Sequence, residues 1–112
     1  MATVRLNSVA IIDRSSFHQV FRELMGFPDF YGANMDAWID CMSDISSPEY
    51  PEGGMTRLTL AQNESLVIEI PETAAFWERV PDIVDDLIIC TAFVNQRYIR
   101  NTGTPVILLM FL

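Results

Sequence analysis

Asp36 and Asp40 stand four residues apart in the segment Asn34-Met35-Asp36-Ala37-Trp38-Ile39-Asp40-Cys41-Met42. On a helix, that spacing puts both carboxylates on one face. Such a pair can do general acid–base work, hold a cation, or offer negative charge to a basic partner. The first two roles need further groups. The single histidine, His18, falls beside the apolar stripe of the preceding helix and reads as a partly buried structural residue. One His, two Cys and scattered acids show no metal-ligand spacing. There is no Gly-rich phosphate loop and no nucleophile elbow. No catalytic residue, metal or cofactor is therefore expected; spacing alone leaves a solvated surface pair, the commoner case, or presentation of charge to a partner. The pair costs the fold about a few tenths of a kcal/mol through like-charge repulsion.

The loop ahead of these acids strengthens that reading. Phe30 and Tyr31 are consecutive aromatics followed by Gly32. Consecutive side chains in a loop diverge, so the two can hardly both be core. An exposed aromatic beside paired acids at a rigid helix start is the anatomy of a binding hot spot. Gly32 allows a sharp turn or close approach by a partner. Asn34 is a good N-cap, and Asp36 in the first turn is favoured by the helix dipole. Ile39 lies beside the acids, while Trp38, Cys41 and Met42 point elsewhere as natural core residues.

These residues need elements to hold them. Residues 3 to 12 read as a first strand with a turn near Asn7-Ser8. Ser16 and Gln19 have capping-box spacing, and Phe17, Val20, Phe21 and Leu24 form one apolar helical stripe. Gly26 should end that helix in a left-handed cap, with Pro28 preventing its resumption. A second helix runs from the Asn34 cap to about Ser43. Residues 44 to 54 read as an exposed connection. MTRLTLA and SLVIEI, separated by Gln62-Asn63-Glu64, look like a hairpin whose second run is the better central strand. Thr73 to about Val80 forms a short helix ended by Pro81. Asp82 to Asn101 forms a longer one, with Ile83, Leu87, Cys90 or Thr91, Val94 and Tyr98 on one face and Gly103 as its stop. Residues 105 to 111 form the last strand. The order predicts an α/β fold: a small parallel sheet packed with helices.

Bulk properties bound the function. The chain has 112 residues, enough for one core, so residues 1 to 112 read as a single domain. Its net charge is -8, with 15 acids against 7 bases, all of them Arg. That balance argues against direct nucleic-acid binding, which needs a basic footprint, and fits a soluble protein or one that meets a basic partner. Cys41 and Cys90, far apart in apolar surroundings, read as two buried thiols. The start, MATVRLNSVAIIDR, lacks a basic region followed by a long apolar run, and PVILLMFL is too short to span a bilayer. A cytoplasmic protein without membrane contact is expected.

The run Pro28, Phe30, Tyr31, Gly32, Asn34, Met35, Asp36, Ala37, Asp40, Cys41, Met42 resembles, in order and without gaps, the motif of the barstar family. Phe17-His18-Gln19 upstream, LVIEI, the terminal helix and PVILLMF are also similar, so the resemblance covers most of the chain. It implies a barstar-like fold of three parallel strands and about four helices, with residues 44 to 64 as an insertion carrying a hairpin strand. It further implies a protein inhibitor that plugs the active site of a small basic ribonuclease of the barnase type. Asp40 would enter the phosphate-binding pocket as a phosphate mimic, and Asp36 would pair with a second basic group. Phe30 and Tyr31 would pack over the catalytic groove, and Gly32, Asn34 and Met35 would give close contacts.

The sequence departs from the pattern in three places. Ile39 occupies a contact position that is tryptophan in the family's namesake. The acid that the family's namesake places on its last long helix is missing, and counting back from Gly103 reaches Tyr98 with Arg97 beside it. The third departure is the insertion. Two other readings therefore stay open: an immunity or interaction module of the same fold with another toxin or enzyme as partner, and a small acid–base enzyme.

Overall fold

The computed structural model describes residues 2–45, 56, 60–61 and 64–112. Three strands, β1 (Ala2–Arg5), β2 (Leu66–Ile70) and β3 (Ile107–Phe111), form one sheet in the order β1-β2-β3. Both pairings are parallel, with Val4 opposite Ile68 and Ile68 opposite Leu109. Four α-helices complete the fold: α1 (Arg14–Met25), α2 (Met35–Ser43), α3 (Thr73–Arg79) and α4 (Pro81–Thr102). The α/β arrangement expected from the element order is the one observed. Among the described residues, no helix is long and apolar enough to cross a membrane.

β2 is central because it is apolar on both faces: Leu66, Val67, Ile68 and Ile70 are buried and only Glu69 reaches partly outward. Leu66, Ile68 and Ile70 enter the core with Phe17, Phe21 and Met25 of α1, Trp38 and Met42 of α2, Phe76 of α3, and Val84, Leu87 and Val94 of α4. Gly26 and Gly103 end α1 and α4 in left-handed conformations, at φ 70° and 83°.

Three boundaries differ from the sequence reading. The first strand stops at Arg5, and Ser8–Ala10 form a 3-10 turn. Long-range bonds pull this segment out of the sheet: Ser8 Oγ donates to the Pro71 carbonyl at 2.6 Å, and the Arg79 guanidinium donates to the carbonyls of Ser8 and Ile11 at 2.7 and 3.0 Å. The capping box of α1 joins Asp13 and Ser16, not Ser16 and Gln19. The Asp13 carboxylate accepts the Ser16 N–H at 2.8 Å, and Ser16 Oγ accepts the Asp13 N–H at 3.0 Å. Pro81 does not simply stop α3. It opens α4 at the first helical position, where its missing N–H costs nothing. The expected inserted hairpin falls largely outside the described residues, and Thr56, Leu60 and Ala61 carry no strand. What is described there is an anchor: Leu60 is buried, and its N–H donates to the Ile45 carbonyl at 2.9 Å.

Candidate partner-binding surface

The acids are positioned by the cap of α2. Asn34 is extended, and its Oδ1 accepts the Ala37 N–H at 2.8 Å. That bond fixes where the helix begins, and hence which way each following side chain points. Trp38, Cys41 and Met42 turn inward, with Trp38 fully buried edge-on to Phe21 at 5.6 Å. Met35 and Ile39 are half-buried against the core. Asp36 and Asp40 are exposed. Among the described residues, the ion pairs are Arg5–Glu69, Arg14–Asp86 and Arg22–Asp29, and neither Asp36 nor Asp40 joins one. Their charge reaches the thiols behind them: burial, reinforced by Asp40 and Asp44, pushes Cys41 up to about 11. Burial, with Asp86 and Asp36, also raises Cys90. Both thiols are buried and unbridged.

The loop ahead of α2 separates its two aromatics, as consecutive loop residues require. Phe30 is 75% exposed, the most open of the large apolar side chains described. Tyr31 turns the other way. Its ring packs on Phe27 at 4.7 Å and on His18 at 5.6 Å, and its hydroxyl sits 2.5 Å from His18 Nδ1. His18 is 6% exposed; burial, with the charge of Arg14, lowers its pKa and favours the neutral ring. A turn bond from the Tyr31 N–H to the Pro28 carbonyl, and the Arg22–Asp29 ion pair at 2.8 Å, hold the loop to α1.

The sharp bend falls on Ala33 and not on Gly32. Ala33 has φ 52°, a left-handed conformation that costs an alanine about 1 kcal/mol. At Gly32, a side chain's first carbon would meet Asn34 Nδ2 at 3.4 Å and Ala37 at 3.6 Å. The strained residue thus lies three positions after the 75% exposed Phe30 and directly before the Asn34 cap.

Of the residues singled out in the sequence, Phe30, Gly32, Asn34, Asp36 and Asp40 are exposed in this one stretch, while Tyr31, Met35 and Ile39 support it from beneath. Sequence reasoning missed His18 as the anchor of Tyr31, and Ser43 as a junction. The Tyr98 hydroxyl donates to the Ser43 carbonyl at 2.6 Å and Arg97 Nη1 donates to Ser43 Oγ at 3.3 Å. α4 thereby sets a cation at the C-terminal end of the acidic helix. The sequence signal was Arg97 itself, at the place where an acid was sought.

Compared with known proteins, the sequence matches the family described as Barstar (barnase inhibitor) over residues 1–110. No curated protein matches it.

Proposed function

The chain belongs to the barstar family, and from that premise we propose that it is an intracellular inhibitor of a basic ribonuclease of the barnase type. In this reading the Phe30 loop and the exposed face of α2 close the enzyme's active site. Asp40 stands in for a substrate phosphate among the enzyme's cationic groups, and Asp36 meets a second cation. Phe30 covers the catalytic groove. Gly32 and Asn34 give close backbone and side-chain contacts, and Tyr31, Met35 and Ile39 add contact at their exposed edges.

The observation that carries this reading is the pair Asp36 and Asp40: two exposed carboxylates outside the ion pairs of the described residues, fixed on a capped helix directly after an exposed aromatic. Acids that repel each other and join no ion pair among the described residues are accounted for by a cationic partner. Acid–base catalysis is less well supported, since neither acid lines the cleft of about 480 Å³ between α1 and the loop. Titrating a barnase-type ribonuclease with the protein tests the reading: stoichiometric loss of RNA cleavage is expected.

One observation favours a second reading, an immunity module with a different toxin as its target. Arg97 stands at the end of α2, and a partner that fits there offers an acid or a neutral group in place of a cation. Absence of inhibition at micromolar protein, with retained binding to another basic toxin nuclease, would select this reading over the first.

A further inference from the structure

β3 is the last strand of the sheet, and its outer side has no neighbouring strand among the described residues. Which backbone groups lie open there follows from the parallel ladder. The Leu66 N–H donates to the Val106 carbonyl at 2.7 Å, and the Leu112 N–H donates to the Ile70 carbonyl at 2.9 Å. Alternate residues 106, 108, 110 and 112 therefore address β2, and Ile107, Leu109 and Phe111 turn their N–H and C=O groups outward. Asn95 of α4 satisfies the first of these like a short piece of strand. Its Oδ1 accepts the N–H groups of Val106 and Ile107 at 3.0 and 2.8 Å, and its Nδ2 donates to the Ile107 carbonyl at 2.9 Å. Among the described residues, Leu109 and Phe111 have no such cover.

The side chains along this edge are also unprotected. Leu108, Met110 and Leu112 fall on the sheet face away from the core and are 37%, 45% and 54% exposed. On the other face, Phe111 and Trp77 meet at 6.5 Å and both remain partly open. Native sheet edges are normally guarded by charge or proline. The run from Val106 to Leu112 contains neither.

We propose that two copies of this chain associate edge to edge through β3, antiparallel and centred on Met110, to make one continuous six-stranded sheet. The pairing is self-complementary. Leu109 of each copy faces Phe111 of the other, and each such pair exchanges both N–H···O=C bonds. Met110 meets its own counterpart, and Leu108 meets Leu112, so the exposed ribbon is shared. Charge favours a second copy at this place. The chain carries -8, and two copies repel wherever acids meet. Here the strand is uncharged, and the nearest charges on that sheet face, Arg5 and Glu69, neutralise each other at 3.9 Å. The open area sets the strength. Five half-open side chains offer on the order of 500 Å² per copy, below the roughly 800 Å² per partner of a standard stable interface, so the pair forms only at high protein concentration. The α2 surface stays open in it, because Asn95 faces β3 while Arg97, two residues on, reaches Ser43 from another side of α4.

Sedimentation velocity of the full chain, from a few to several hundred micromolar, tests this. The mass should rise from monomer towards dimer with concentration. Met110→Lys, which sets two cations face to face at the centre, should remain monomeric with an unchanged circular dichroism spectrum. Ile89→Asp, an exposed apolar site on another side of α4, should dimerise like the parent. Should Met110→Lys unfold, Leu108→Lys makes the same test. Hydrogen exchange should show the amides of Leu109 and Phe111 gaining protection with concentration while that of Leu108, already turned to β2, does not. A monomer at every concentration, or a dimer that Met110→Lys leaves intact, overturns the proposal.

Discussion

The phenol of Tyr31 lies 2.5 Å from Nδ1 of His18, and through that bond the loop that carries Phe30 is tied to the middle of α1. Burial keeps His18 neutral and raises the pKa of Tyr31, so at neutral pH the contact joins two uncharged groups. The loop's pose thus depends on a residue outside the acidic motif.

A pH dependence follows. The pKa of His18 in the folded chain lies below its ordinary 6.5, so below that pH the unfolded chain binds more protons than the folded one. The contribution of His18 to stability should be complete above about pH 6.5 and be lost as pH falls through the depressed value. Denaturant unfolding at a series of pH values should show stability declining on the acid side. His18→Gln should shallow that decline, and an unchanged slope would remove His18 from the account.

Ala33→Gly should raise stability by about 1 kcal/mol, because glycine adopts φ 52° without the clash that alanine suffers. In a chain of this size that corresponds to a rise in Tm of about 4 °C. Calorimetry reads it directly. A fall in Tm would mean that the methyl group of Ala33 makes a contact worth more than the strain.

Trp38→Ala should cost about 3 to 5 kcal/mol, since the ring is fully buried against Phe21. Asn34→Ala should cost about 1 kcal/mol through loss of the cap on Ala37. Urea unfolding checks both. If Trp38→Ala kept its stability and lost partner binding instead, Trp38 would have to be reassigned to the surface.

Much of this was legible in the residues. Gly26, Asn34 and Gly103 mark helix ends through local chemistry, and each stands where that chemistry put it. The Phe17–Phe21 stripe and the inward set Trp38, Cys41 and Met42 follow from helical spacing alone. What escaped depends on residues distant in sequence or on a choice between near-equal neighbours. Nothing near Ser8 announces that Pro71 and Arg79 will bend it out of the first strand. Capping-box spacing pointed from Ser16 forward to Gln19, whereas the residue that pairs with Ser16 is the acid three positions before it. Gly32 was the natural seat for the bend, yet the left-handed residue is its neighbour Ala33. Tyr31 and His18 are thirteen residues apart on different elements, a pairing that no local pattern encodes.

The salt dependence of association separates charge recognition from a purely steric plug. With the acids Asp36 and Asp40 facing a basic enzyme, the association rate with a barnase-type ribonuclease should fall steeply as salt rises, while the dissociation rate changes little. Stopped-flow measurement across ionic strength gives both. A flat association rate would point to contact through Phe30 and its neighbours without steering by the acids.

The central claim rests on Asp40, and the binding constant of Asp40→Ala for a barnase-type ribonuclease tests it most directly. Asp40 is exposed and joins no ion pair among the described residues, so the variant should fold as stably as the parent or slightly more so, with the repulsion from Asp36 relieved. Its affinity should fall by at least a hundredfold, roughly 3 kcal/mol, as expected when a hot-spot residue is truncated. Parent-like binding and inhibition by a folded Asp40→Ala would contradict the account.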